Sequence, residues 1–305
     1  MNKVKLILWI FFAFFIVQSC NQGGKTGAAE DTPDSGTVKM AVDESFQPIV
    51  DEELSVFKYL NPKANPELVY KPENGVLRLL LSDSARVIVL SRDLDTSEVR
   101  ILSAKKLVPL VNRFAIDAVA LIVNQTSKDT LITVNEIKKM LAGQAKTGLN
   151  IVFDNANSSL SRYLKAFSGV NDLKQKNIYA LKNNKEVINY VSQNPNSIGI
   201  TGFSWLNDPD PDYKDAVNKV KIMSVKDEDS KKYPNQYFSP SQTTLALKQY
   251  PLSRGLYIIN CTGKGGLGTG IAHFLVSDRG QRIILRSGLL PDSIPGREIR
   301  ITHKF

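Results

Sequence analysis

Apolar runs alternate with amphipathic stretches from residue 38 almost to the end of this chain. Val38-Lys39-Met40-Ala41-Val42 reads as a strand, Phe46 to Tyr59 as a helix, Glu67 to Tyr70 as a strand, Val76 to Leu81 as a helix and Arg86 to Leu90 as a strand. Such alternation, with right-handed crossovers, predicts an α/β protein whose mainly parallel sheets are covered by helices. Ligand groups then gather at the carboxyl ends of the strands.

The theme repeats downstream. Asp117 to Asn124 reads as a strand leaving one lobe for another, and Thr133 and Glu136 form a capping box for a helix through Ile137, Met140 and Leu141, ended by Gly143. Ile151-Val152-Phe153 is a strand, Asp154 to Asn157 a polar turn, and Leu160, Tyr163, Leu164 and Phe167 recur at helical spacing behind an N-cap at Asn157 or Ser158. Ser192 to Gly202 gives a turn and a short strand, Val220 to Val225 a strand, and Lys226 to Gln236 a solvated, lysine-rich connection. Leu252 to Asn260 is strand-like again, Cys261 to Thr269 is a glycine-rich loop, and Ile271 to Leu275 and Gln281 to Leu285 belong to helices. The return near Tyr250 implies a second crossing between lobes. Residues 37–118 with 250–305 are therefore expected to form lobe I and residues 119–249 lobe II, joined by two hinge crossovers suited to closing around a ligand.

The first twenty residues have another character. Lys3 and Lys5 precede an apolar run from Leu6 to Val17, and Val17-Gln18-Ser19-Cys20 follows, the order of a secretory signal whose core is short for a membrane span. The small Ser19 before Cys20 resembles a bacterial lipobox, so residues 1–19 are expected to be removed and Cys20 lipidated, anchoring the protein in the cell envelope facing the periplasm. Asn21 to Gly36, rich in Gly, Ala, Thr, Asp and Ser, suits a flexible tether over residues 20–36. Cys261, the other cysteine, is expected to be a buried, inert thiol.

Lys and Arg number 39 against 30 Asp and Glu, but they are scattered rather than clustered with aromatics, so no nucleic-acid partner is expected. His273 and His303 are the two histidines, no metal-ligand cluster is readable, and Ser158 has no visible base. Gly263 to Gly270 lacks the Gly-Lys-Ser/Thr ending of a phosphate loop and reads as a connector. Neither catalysis nor a cofactor nor a metal is expected. The polar turns remain. Ser158, Ser159 and Ser161 stand at a helix start, where free N–H groups and the helix dipole can hold an oxyanion, although the same serines also serve as ordinary caps. Ser45 occupies the corresponding place after the first strand, and Ser91-Arg92-Asp93 follows the third.

Several motifs agree in order with one family. Tyr250-Pro251-Leu252-Ser253-Arg254-Gly255-Leu256-Tyr257-Ile258, then Phe274 to Gln281 and Gly288-Leu289-Leu290-Pro291, resemble the C-terminal signature of PstS-like phosphate-transporter substrate-binding proteins. Ser91-Arg92-Asp93-Leu94, Ala118 to Asn124, Leu131 to Gly143 and Asn194 to Gly202 resemble further family segments, so the resemblance runs from about Val38 to Pro291. It implies a two-lobed type II periplasmic binding fold. In that family the oxyanion is held by N–H groups and hydroxyls at three turns, with an arginine and a buried carboxylate. The resemblance therefore implies a ligand set of Ser45, Phe46, Ser91, Arg92, Asp154, Ser158, Ser159, Leu160 and Arg162. Two departures add negative charge: Asp154 stands where the family often has arginine, and Glu73-Asn74-Gly75 stands where it has a Ser-Gly-rich turn. Either Arg92 or Arg162 compensates, or the ligand is not phosphate; Arg162 also fits a solvated helix position. Asp154, as an acceptor, favours a ligand that carries a proton, hence phosphate over sulfate. The resemblance implies a monomeric, lipid-anchored protein capturing a small oxyanion, phosphate first, for the permease of an ABC transporter. The alternative is an envelope sensor or adhesion component whose cleft has drifted.

Overall fold

A computed structural model describes residues 31–144, 148–173 and 175–294. The expected signal sequence, Cys20, the expected tether up to residue 30, and His303 lie outside the described residues.

The chain forms β1 (Gly36–Asp43), α1 (Gln47–Leu60), β2 (Ala64–Lys71), α2 (Glu73–Leu81), β3 (Val87–Leu90), α3 (Thr96–Ala104) and the long β4 (Leu110–Asn124). It continues through β5 (Leu131–Thr133), α4 (Val134–Leu141), β6 (Asn150–Phe153), α5 (Ser159–Ser168), β7 (Ile178–Ala180), α6 (Asn184–Gln193) and β8 (Ser197–Gly202). Then come α7 (Ser204–Asn207), α8 (Lys214–Val217), β9 (Val220–Ile222), β10 (Ser224–Lys226), α9 (Gln242–Ala246), β11 (Ser253–Asn260), α10 (Leu267–Val276), α11 (Asp278–Arg286) and β12 (Leu290–Pro291).

The main sheet runs β2-β1-β3-β11-β4-β8-β6-β7, with β9 and β12 also on β4. It is mixed rather than mainly parallel. β2, β1 and β3 pair in parallel at one end, as do β8, β6 and β7 at the other, because helical crossovers join them. The centre is antiparallel: β11 runs against both β3 and β4, and β4 against β8. β4 links the two strand groups. Its residues Leu110 to Ala118 pair with β11, and Val119 to Val123 pair with β8. The chain passes the same point again at Leu252, whose carbonyl accepts the Val119 N–H at 2.8 Å, while Ala118 O accepts the Phe203 N–H at 2.9 Å. β3 and the second half of β4 are buried throughout, as strands covered on both faces must be, and so their sequences show no alternation.

Local chemistry explains the helix ends. Thr133 and Glu136 form the expected capping box on α4, Asp95 and Glu98 form another on α3, and Gly169, with φ of 72°, ends α5 in the left-handed region. α3, β7 and α6 were not foreseen in the pattern. α2 starts at Glu73 rather than Val76, and the single strand expected over Val220 to Val225 breaks at Met223, β9 pairing with β4 and β10 with β5. The buried Cys261 thiol is pushed up to about 11 by desolvation, which suits an inert role.

The glycine-rich connector and the tether also differ from expectation. α10 begins at Leu267, and its first N–H donates to Asp31 Oδ1 at 2.8 Å, while Lys264 pairs with the other oxygen of Asp31. A Cβ at Gly270 would lie 1.8 Å from the Pro33 carbonyl oxygen, so only glycine lets the N-terminal segment lie this close to the helix. Residues 31–36 thus belong to the fold and not to a free tether.

Candidate functional site

Two polar clusters lie around the start of α5. In the inner one, Ser158 caps the helix, its Oγ accepting the Ser161 N–H at 3.0 Å and donating to Asp154 Oδ1. The choice between Asn157 and Ser158 as N-cap is thereby resolved for Ser158. Ser159 and Leu160 follow as the first helical residues, whose N–H groups have no acceptor within a helix. The Leu160 side chain itself is in the core.

Asp154 is fully buried at the end of β6 and accepts from three separate elements. Ser45 Oγ donates to its Oδ2 at 3.2 Å, Asn184 Nδ2 donates to the same oxygen at 3.4 Å, and Ser158 serves Oδ1. Ser45 is held in place by its N–H, which donates to Asp43 Oδ1 at 3.1 Å, and by its carbonyl, which accepts the Trp205 indole N–H at 2.8 Å. Asn184 is oriented by Thr201, whose hydroxyl donates to Asn184 Oδ1 at 2.7 Å. Asp43 is fully buried too, and its Oδ2 lacks a well-directed donor among the described residues, the nearby Ser159 hydroxyl giving partial relief.

The cation of this cluster is Arg254, only 6% exposed, near the start of β11. Its Nη2 and Nε donate to Asp117 Oδ2 at 3.0 and 3.2 Å, its Nη1 donates to Ser159 Oγ at 3.2 Å, and its guanidinium lies 4.6 Å from the centre of the Phe46 ring. Phe46 therefore enters the cluster as a buried face beneath a cation. A Cβ at Gly202 would come within 2.9 Å of Arg254 Nη2, so glycine there leaves room for the ion pair. Asp43, Asp117 and Asp154 face this one guanidinium, and desolvation raises the pKa of each: Asp43 to about 6, Asp154 to about 7, and Asp117 upward despite its partner.

The outer cluster collects the other expected residues. Glu73, 1% exposed at the start of α2, accepts from Arg162 Nε at 2.6 Å and Nη2 at 3.1 Å, from Arg92 Nε at 3.3 Å and from Ser91 Oγ at 3.2 Å. Arg162 Nη2 also donates to Ser91 Oγ at 2.7 Å, and Arg92 forks onto Glu98 at 2.7 and 2.8 Å. Arg162 is an ion-pair partner, not a merely solvated helix residue. Both arginines compensate Glu73, and neither hydrogen-bonds Asp154. Ser91 thus stands with Glu73 and apart from Ser45 and Ser158, because the turn after β3 directs it to the start of α2.

The nine expected residues accordingly divide into an inner group of Ser45, Phe46, Asp154, Ser158, Ser159 and Leu160 and an outer group of Ser91, Arg92 and Arg162. Sequence reasoning missed Asp43, Asp117, Asn184, Thr201 and Arg254 as members. Asp117 and Arg254 did carry a signal: each is a charge in a mostly apolar strand, and the two are direct partners in the β4–β11 register.

Hydroxyls, helix N–H groups and a buried guanidinium thus converge beside the mixed sheet of an α/β protein. The chain belongs to the PBP superfamily, whose domain model matches residues 27–279. It is a binding protein of that family and not an enzyme. The phosphate-binding protein PstS of Borreliella burgdorferi is 25% identical over 314 residues, covering 95% of this chain and 99% of the relative. Among solved structures, a Clostridium perfringens protein with bound phosphate, named as a phosphate ABC transporter substrate-binding protein, is similar with a TM-score of 0.70 at 17% identity, covering 85% of this chain and 100% of that one. An ABC-type phosphate transport receptor from Vibrio cholerae is similar with a TM-score of 0.63 at 17% identity, covering 84% of this chain and 100% of that one.

Proposed function

We propose that this protein captures a small oxyanion, phosphate first, between two lobes that meet where β4 and the segment through Leu252 cross, and delivers it to the permease of an ABC transporter. Cys20 bears the lipid that holds the protein at the envelope, and the protein acts as a monomer. The observation that carries the reading is the convergence of the Ser45, Ser158 and Ser159 hydroxyls with the Arg254 guanidinium at the start of α5, donors brought together from chain positions far apart. The names of the similar proteins from B. burgdorferi, C. perfringens and V. cholerae support phosphate as the first ligand to try.

One observation favours a second reading. Asp154 already accepts the hydroxyls that an anion would need, as a drifted cleft in an envelope sensor or adhesion component would allow. Calorimetry separates the two. Phosphate is expected to bind at micromolar concentration, with sulfate as the comparison anion. Absence of phosphate binding at millimolar concentration would falsify the transport reading and leave the sensor.

A further inference from the structure

We propose that Asp154 is a tethered anion occupying the donors of its own cradle, so that capture of a free oxyanion is coupled to uptake of a proton by Asp154. This inference rests on the oxyanion reading above and adds its regulation.

The geometry comes first. A carboxylate is an acceptor only, and Asp154 takes hydrogen bonds from Ser45 before α1, from Ser158 before α5 and from Asn184 at the start of α6. Those donors are the ones a small oxyanion at this place would use. While Asp154 is ionised, the two hydroxyl protons are committed to it. Once protonated, its carboxyl is a weaker acceptor and carries a donor of its own, so the serine hydroxyls can turn to a ligand and the new O–H can join them.

Charge points the same way. The titratable groups around Asp154 are Asp43 at the end of β1, Asp117 on β4 and Arg254 on β11; Glu73 of α2 is also felt at Asp43 and is itself held by Arg92 and Arg162. An incoming anion would thus join three buried carboxyls and one guanidinium. At low dielectric that repulsion is large, and a proton taken up with the anion removes it. Burial and the neighbouring Asp43 hold Asp154 near pH 7, so the proton is available under ordinary conditions, with the two carboxyls titrating as a pair.

The test is calorimetry of the purified protein with inorganic phosphate near pH 6 and pH 8, in buffers of different ionisation enthalpy, for wild type and Asp154→Asn. The titration of phosphate itself is common to both proteins and cancels in the comparison. Near pH 8 the wild type should take up about one more proton per phosphate than the variant, and between the two pH values its affinity should fall about tenfold more. Equal proton uptake and parallel pH profiles overturn the coupling while leaving oxyanion capture intact. Should Asp154→Asn not fold, Asp43→Asn takes its place: it should move the pH midpoint of wild-type affinity downward, and an unmoved midpoint overturns the inference. If neither wild type nor the folded variant binds phosphate at any pH, the oxyanion reading fails and the coupling falls with it.

Discussion

The inner and outer clusters are built from the same kinds of side chain and balance charge in different ways. Outside, Glu73 and Glu98 meet Arg92 and Arg162, the arginine side chains being 23% and 40% exposed, so charges are matched and solvent screens what is left. Inside, Asp43, Asp117 and Asp154 share Arg254, whose side chain is 3% exposed. In a buried cluster short of cations, desolvation holds the carboxyl pKa values up, so that uptake of protons can offset the missing positive charge. Two sites a few side chains apart therefore differ in what sets their state: ion pairing in one, pH in the other.

The largest test of that contrast is Arg254→Met. It strips Asp117 of its buried partner and is expected to cost about 3–5 kcal/mol in denaturant unfolding. A loss below about 1 kcal/mol would mean that Asp117 is neutral as well, so that Arg254 balances no charge and the inner cluster rests on protons alone.

Asp154→Asn tests the protons themselves. The folded-state pKa of Asp154, about 7, lies above its unfolded value near 3.8, so between these values the folded protein binds more protons than the unfolded chain. Stability conferred by that proton is present in acid and lost as pH rises through this window. The variant should match wild type near pH 4 and exceed it near pH 8 by about 4 kcal/mol, as read from urea midpoints at each pH. A pH-independent difference between the two proteins would remove the proton from the argument.

Arg162→Met should do least. Its side chain is half-exposed and Arg92 still holds Glu73, so the cost is about 1 kcal/mol or less and shrinks with added salt. Thermal unfolding at low and high salt checks this. An effect matching that of Arg254→Met would place the two clusters on the same footing.

What could be read from sequence follows from the range of the interactions. Ser158 and Ser159 were legible because a strand, a polar turn and a helix N-terminus are local features, and Ser45 stood at the same place after β1. The pairing of Arg254 with Asp117 spans 137 positions and depends on strand register, so each residue alone looked like an odd charge in an apolar run. α3 was passed over because its buried face consists of Glu98 and Leu102, too little for an apolar period, although the Asp95–Glu98 capping box had readable spacing. α6 buries Val187, Ile188 and Val191 behind an Asn183 cap, a pattern that was present but overshadowed by the Pro/Asn turn after it. The mixed sheet was hidden for another reason. Direction of pairing is decided by which strand returns beside which, and β11 comes back from the far end of the chain.

The clasp of Asp31 on α10 also sets a length. If the chain is fixed to a lipid at Cys20, its run to the folded body ends at Asp31, and eleven residue steps can extend to about 40 Å at most. A leash reckoned to the start of β1 at Gly36 would be five steps longer and attached elsewhere. The shorter one makes the face bearing the start of α10 the point of suspension. With such an anchor, the leash would limit how far the folded body can swing from the membrane surface.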